Sequence, residues 1–124
     1  MTDPMTPEQE RQLAERMAEV CGLSLHHDGL MPDWYGGNFP GAMKWISASS
    51  WRPWEEPDQA EMVVKAMHEK GYSYSLCITA SHTEAIFEQN ADGVDWEHDF
   101  ACVEGYNPSL AICLAAEKAV YGDG

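Results

Sequence analysis

The segment Tyr72-Ser-Tyr-Ser-Leu-Cys-Ile-Thr-Ala80 decides the fold, because hydrophobic and polar residues alternate along it. A repeat of two residues is typical of a β-strand that buries one face and exposes the other. We therefore expect a strand over Tyr72–Ala80. The hydrophobic side of this strand consists of Tyr72, Tyr74, Leu76 and Ile78.

The same alternation continues in the next two segments, so this strand belongs to a larger sheet. His82–Gln89 alternates after a tight connection, and Asn90-Ala-Asp-Gly93 is a turn signal before a third segment, Val94–Val103. Three consecutive strands predict an antiparallel meander, and the third should have one packing face and one solvent face. The packing face holds Val94, Trp96, His98, Phe100 and Cys102, and the solvent face holds Asp95, Glu97 and Asp99.

A helix is signalled near the start of the chain. Thr6 suits the cap, Pro7 suits the first helical position, and Gln9 completes a capping box. Hydrophobic residues follow with helical spacing, and Gly22 ends the helix.

Two more helices flank the predicted meander. The second begins near Pro57, where acidic residues favour the positive end of the helix dipole, and it stops at Gly71. In the third, Asn107 caps, Pro108 opens and Gly122 closes a strongly apolar helix.

The segment Leu23–Glu56 lacks a clear period and is rich in glycine, proline, serine and aromatic residues. We expect a long Trp-rich loop here, with one short strand over Ala42–Ser47. The predicted order is α, long loop, α, β, β, β, α. This order predicts an α+β fold of three helices and an antiparallel three-stranded meander, an α/β sandwich in one domain over residues 1–124.

Three features of the chain resemble the phage ABA sandwich domain family, small proteins encoded by bacteriophages and prophages. They are the helix 58-DQAEMVVKAMHEKG-71, the aromatic and polar strand after it, and the closing stretch 107-NPSLAICLAAEKAV-120, which is the most specific. The resemblance covers about residues 11–121, whereas the Trp-rich segment 34–54 and the acidic bias fit the family less closely. It implies an α/β sandwich of phage origin and supplies no catalytic residues.

The charge of the chain argues against two classes of partner. Asp and Glu number 21 against 7 Lys and Arg, which gives a formal charge of −14. Nucleic acid and anionic membranes both need a basic surface, so we expect direct binding to neither. No apolar run approaches the roughly 20 residues of a spanning helix. The N-terminal residues lack the pattern of a secretory signal, which predicts a cytoplasmic protein.

The cysteines and histidines do not form a recognisable reactive site. The four cysteines lack a C-x-x-C pair, and each lies in an apolar stretch, so we expect reduced, buried thiols. The histidines lack metal-site spacing, and strand neighbours such as His98 and Asp99 point to opposite faces. We therefore expect no metal, no cofactor and no catalytic centre. The cysteines are Cys21, Cys77, Cys102 and Cys113.

Most of the tryptophans fall within the predicted loop. This clustering is compatible with a stacking platform for a planar ligand such as a nucleotide, with a small core that pins the loop, or with a protein-binding surface. Only Lys44 and Arg52 lie within the segment to hold a phosphate. The candidate binding residues are Trp34, Tyr35, Trp45, Trp51 and Trp54.

Acidic residues concentrate between positions 84 and 104, with no lysine or arginine among them. Their charge either keeps the protein in solution or forms a surface that attracts a basic groove on another protein. The candidates for this surface are Glu84, Glu88, Asp95, Glu97 and Asp99, beside Asp92 and Glu104.

These features lead to hypotheses from three classes. The first is a non-enzymatic phage accessory protein that binds and inhibits a host protein such as an antiviral defence component. The second is a protein that sequesters a nucleotide signal. The third is a structural or assembly subunit that forms a homodimer through its sheet or its apolar helix.

Overall fold

The computed structural model describes residues 5–27, 29, 33–39, 42–89 and 97–122, and for residues 38, 39, 42–44, 89 and 97–100 it describes the backbone alone. Within these ranges the chain has mixed α+β structure, as predicted. Its helices are α1 (Pro7–Val20), α2 (Pro57–Glu69) and α3 (Pro108–Tyr121). Its strands are β1 (Ser24–His26), β2 (Trp34–Phe39), β3 (Ala42–Ser47), β4 (Tyr72–Ile78), β5 (His82–Gln89) and β6 (Glu97–Glu104).

The helices begin where the sequence predicts. In α1 the Thr6 side chain accepts a hydrogen bond from the Gln9 backbone N–H at 3.1 Å, and the Gln9 side chain accepts one from the Thr6 N–H at 2.9 Å. In α3 the Asn107 side chain accepts from the Leu110 N–H at 3.2 Å. Each helix also begins with proline, whose missing N–H has no partner to lose at that position. The three helix predictions are confirmed.

The predicted meander is present as one three-stranded antiparallel sheet in the order β4, β5, β6. Ala85 in the central strand pairs with Leu76 on one side and Ala101 on the other. The predicted turn at 90–93 and the first residues of the predicted third strand lie outside the described residues.

The faces of β6 are the reverse of the prediction where its side chains are described. Val103 is buried and Cys102 is exposed, although the sequence analysis assigned Cys102 to the packing face. Val103 pairs with Thr83 on β5, which is fully buried, whereas Cys102 pairs with Glu84. Both alternating sets of β6 contain apolar residues, so alternation alone did not decide the face. Pairing with β5 decides it.

The predicted long loop contains a second sheet, and this corrects the predicted topology. The strands β1, β2 and β3 form a three-stranded antiparallel sheet in that order, with Tyr35 opposite Leu25 on one side and Ile46 on the other. Only β3 was predicted, with the observed bounds. β2 contains Gly36 and Gly37, which interrupt the hydrophobic alternation that would otherwise indicate a strand.

The core lies where α3 meets the other helices and the β4–β6 sheet. α3 contacts β5, β6, α2 and α1, and α2 also packs on β4. The apolar residues of α3 are therefore largely used within the chain. Of the four thiols expected to be buried, Cys21 and Cys113 are buried, but Cys77 and Cys102 are exposed because they lie on the face of the β4–β6 sheet that α2 and α3 do not cover.

Candidate functional site

The five aromatic candidates of the Trp-rich segment separate into a buried set and an exposed set. Trp51, Trp54 and Tyr35 are 1%, 5% and 6% exposed and belong to the hydrophobic core. Trp34 and Trp45 are 37% and 54% exposed. The five rings therefore do not form one continuous platform.

Trp51 anchors the segment after β3 to the first helix. Its indole N–H donates a hydrogen bond to the Ala14 carbonyl at 2.8 Å, and its ring lies 6.2 Å from that of Tyr35. Such contacts hold a loop in place, because the indole ring buries a large apolar area while its one polar atom keeps a hydrogen bond. The hydrogen-bonded Trp51 thus connects α1 to the β1–β3 sheet.

Trp45 lies on the outer side of the β1–β3 sheet. Its ring is 5.0 Å from that of His26, and it covers Gly36 so closely that a Cβ atom at Gly36 would collide with it. Gly36 and Trp45 are paired across β2 and β3, and Trp34 is paired with His26 across β1 and β2. The exposed aromatic residues therefore share one sheet face.

A cleft of about 340 Å³ opens between α1, the β1–β3 sheet and the turn that carries Trp51 and Trp54. This volume is within the range of small-ligand sites. Apolar side chains and charged side chains of both signs line it. The apolar lining includes Pro7, Ala14, Leu25, Ala48 and the aromatic residues Tyr35, Trp51 and Trp54, and the charged lining is Glu10, Arg11, Glu15, Asp33 and Arg52.

Glu15, Asp33 and Tyr35 line the acidic end of the cleft. The pKa of Tyr35 is raised by burial and then by the negative charges of Glu15 and Asp33. Asp33 also pairs with His27, and this hydrogen bond and charge raise the pKa of the exposed imidazole. The carboxylates of Glu15 and Asp33 thus both act on the Tyr35 hydroxyl.

The other end of the cleft is organised by Arg52. Its guanidinium donates to both carboxylate oxygens of Glu55, at 2.8 and 3.0 Å, and lies 3.6 Å from Glu10. It also lies 5.3 Å from the centre of the Trp54 ring. The Trp54 indole N–H is buried and has no acceptor among the described residues. Arg52 is therefore already neutralised, whereas the Trp54 donor is unsatisfied.

The acidic candidates lie on or near the β4–β6 sheet. Glu84 and Glu88 are half-buried on β5, on the side away from α2 and α3, which we call the open sheet face. Across the strands Glu84 pairs with Cys77 and Cys102. The described side chains of the open sheet face are Ser73, Ser75, Cys77, His82, Glu84, Ile86, Glu88, Cys102 and Glu104.

Glu104 extends this face, since it is exposed and pairs with His82 on β5, whereas Glu97 and Asp99 do not. The backbone register pairs Glu97 with Gln89 and Asp99 with Phe87. These pairs alternate along the strands with the pairs that Glu84 and Glu88 make, so Glu97 and Asp99 occupy positions of the opposite face. Asp95 and Asp92 lie outside the described residues.

The interval without cations is wider than positions 84–104, and this strengthens the acidic surface. Between Lys70 and Lys118 the sequence contains neither lysine nor arginine. The whole β4–β6 sheet falls within this interval, so no cationic side chain of these strands offsets their carboxylates, apart from any protonated histidine. A count of the missing cations over residues 71–117 would have revealed this.

Metal binding and membrane insertion have no structural support in the described ranges. No group of three or more histidine, cysteine, aspartate or glutamate side chains there is arranged to hold a metal ion. No helix found there has the length and apolar character needed to cross a membrane.

Comparison with known proteins gives no relative from which a role can be transferred. No family model, curated protein or solved structure matches the chain.

Proposed function

We propose that this chain is a small, non-enzymatic phage or prophage accessory protein that binds a basic protein of the bacterial host in the cytoplasm. A component of an antiviral defence system is the kind of partner that this proposal favours. The observation that carries it is the open sheet face, which combines carboxylates with the absence of lysine and arginine from residues 71–117.

Burial supports the availability of this face. The helices α2 and α3 pack on the other side of the β4–β6 sheet, and Ser73, Ser75, Cys77 and Cys102 are exposed. An antiparallel sheet with one uncovered face offers a flat surface to a partner.

The net negative charge of the chain supports a partner with a basic surface. A net charge of −14 produces a negative potential that repels acidic surfaces and accelerates encounter with basic ones. Proteins that bind nucleic acid have such basic grooves, because they neutralise phosphates with lysine and arginine. The partner proposed here is a protein with a groove of that kind.

The proposal is tested by affinity capture from a bacterial lysate at low salt with matched variants. The test variant is E84Q/E88Q, which removes two charges from the open sheet face. The control is E61Q/E69Q, which removes two charges from exposed positions of α2. Both variants have the same net charge, so a difference between them reports position rather than total charge.

We expect the wild type and the α2 control to capture the same basic protein, and E84Q/E88Q to lose it. The captured protein is then identified and purified, and its direct binding is measured. Equal capture by both variants, or capture that does not weaken with salt, would contradict the proposal.

A small-molecule role is the second candidate, because the cleft beside α1 has a suitable volume and polar groups. The exposed tryptophans and the buried ones lie apart, so the cleft supports this role better than a five-ring platform does.

A further inference from the structure

We propose that the cleft beside α1 binds an organic ammonium ion on an apolar chain that also carries a carbonyl oxygen, the chemistry of a lysine residue, with Glu15 and Asp33 holding the ammonium group. This binding site is separate from the open sheet face, so either proposal can fail without the other.

The charges of the cleft favour a cation. Glu10, Glu15 and Asp33 line it against Arg11 and Arg52, and Arg52 is already bonded to Glu55 and lies close to Glu10. In the described part of the chain Glu15 has no ion pair, and Asp33 pairs only with the exposed His27. The field of the whole protein adds to this preference, because its net charge is −14.

The walls suit an apolar chain behind the ammonium group. Pro7, Ala14, Leu25 and Ala48 line the cleft, and Leu25 is 48% exposed, which leaves much of its side chain available for contact. Trp51 and Trp54 present little more than edges, because both rings are almost fully buried. A flat nucleobase therefore lacks an open ring face to stack on here.

The Trp54 indole supplies an independent reason to expect a ligand. Trp54 lines the cleft and is about 95% buried, and its N–H has no acceptor among the described residues. Buried donors are nearly always paired, since an unpaired one loses its hydrogen bond to water without replacement. The N–H atom is itself covered, so a carbonyl oxygen on the ligand provides the acceptor when the ligand displaces the atoms over it. A lysine residue has such an oxygen beside its aliphatic chain.

Arg11 provides a test of the sign of the ligand charge. It lines the same cleft and makes no ion pair within the described residues, so it repels a cation and attracts an anion. Arg11→Gln should therefore tighten binding of an ammonium ligand, whereas the same change would weaken binding of a phosphate or carboxylate.

The experiment follows the tryptophan indole N–H signals by NMR in the full chain. The Trp54 signal is assigned by its absence in Trp54→Phe. The probe is Nα-acetyl-lysine methylamide, and the matched control probe is the same molecule acetylated on the side-chain nitrogen, which keeps the chain and removes the charge. Pentylamine, which carries one ammonium group and no carbonyl, distinguishes a free amine from a lysine residue.

We expect the lysine probe to shift the Trp54 signal in a saturable way and to leave the exposed Trp45 unaffected. Acetylation of the probe and Glu15→Gln should each raise Kd by about tenfold. Arg11→Gln should lower Kd, and the exposed Glu61→Gln should leave it unchanged.

An unchanged Trp54 signal, equal binding of the acetylated probe, or weaker binding by Arg11→Gln would overturn the proposal. Binding of pentylamine as tight as that of the lysine probe would contradict the role of the carbonyl oxygen. A shift produced by adenosine monophosphate that is lost in Arg11→Gln would show that the cleft takes an anion instead.

Discussion

At the scale of single residues, position on a sheet determines chemical reactivity. Cys77 and Cys102 have neighbouring pairing positions on either side of Glu84, on the open sheet face. Cys21 and Cys113 lie in the core, and burial raises the pKa of Cys21 to about 12 and that of Cys113 well above its ordinary value. Because the thiolate is the nucleophile, the two buried thiols should be inert in the folded protein.

A thiol count therefore checks the positions of the cysteines. An aromatic disulfide reagent should label Cys77 and Cys102 in the native protein and all four cysteines in denaturant. Cys77→Ser and Cys102→Ser should each remove one fast-reacting thiol. Four fast thiols, or none, in the native protein would contradict the described burial.

A comparison of Trp51 with Trp54 measures how much a buried indole hydrogen bond contributes to the free energy of unfolding. The Trp51 N–H donates to Ala14, whereas the Trp54 N–H has no acceptor among the described residues. We expect Trp51→Phe to reduce the free energy of unfolding by about 1 kcal/mol more than Trp54→Phe, because only the first loses a hydrogen bond. Denaturant unfolding of both variants measures the difference, and a larger loss in Trp54→Phe would show that its N–H is bonded.

At the scale of elements, sequence reasoning succeeded where local signals and burial agree. The capping residues Thr6 and Asn107 set two helix starts before any tertiary contact is considered. Sequence reasoning failed for β2 because Gly36 and Gly37 have no side chains that could contribute to a hydrophobic pattern. Tertiary contacts explain why both positions are glycine. Gly36 is covered by Trp45, and Gly37 lies against the backbone of Gly22.

These two glycines predict different costs for the same substitution. A Cβ at Gly37 would collide with the Gly22 carbonyl, which is held in the turn after α1, whereas a Cβ at Gly36 would meet the exposed side chain of Trp45. We expect Gly37→Ala to destabilise by about 1–3 kcal/mol and Gly36→Ala by less, since a side chain can move. Thermal unfolding of the two variants measures this order, and the reverse order would contradict the packing of β2 against the turn after α1.

The connection between β1 and β2 is closed by the ion pair of His27 and Asp33. The hydrogen bond and then the charge of Asp33 raise the pKa of His27. Any stability from this pair is fully present below the ordinary pKa of histidine, about 6.5, and is lost as pH rises through the raised value. An NMR titration should show the His27 pKa falling toward its ordinary value in Asp33→Asn, and an unchanged midpoint would argue against the pair.

The candidate sites show the same division between local and tertiary information. The sequence identified the aromatic residues and the acidic interval, but it did not separate buried Trp51 from exposed Trp45. It also missed Arg11 and Glu15, because they reach the cleft only when α1 packs beside a sheet that the sequence analysis interpreted as a loop.

At the scale of the whole molecule, the net charge of −14 is distributed unevenly. The lysines lie on β3 (Lys44), in or just after α2 (Lys65 and Lys70) and in α3 (Lys118), whereas the strands β4, β5 and β6 carry carboxylates and no lysine or arginine. A charge that only disfavours self-association would not require this separation. The separation is the main reason to assign the open sheet face to a basic partner.

The most direct test of this assignment is the association rate of the captured partner with the wild type, E84Q/E88Q and E61Q/E69Q, measured by stopped flow over a range of salt concentrations. We predict that at low salt E84Q/E88Q associates about tenfold more slowly than the other two, and that the difference disappears as salt screens the charges. Equal rates for all three proteins at low salt would contradict binding through the open sheet face.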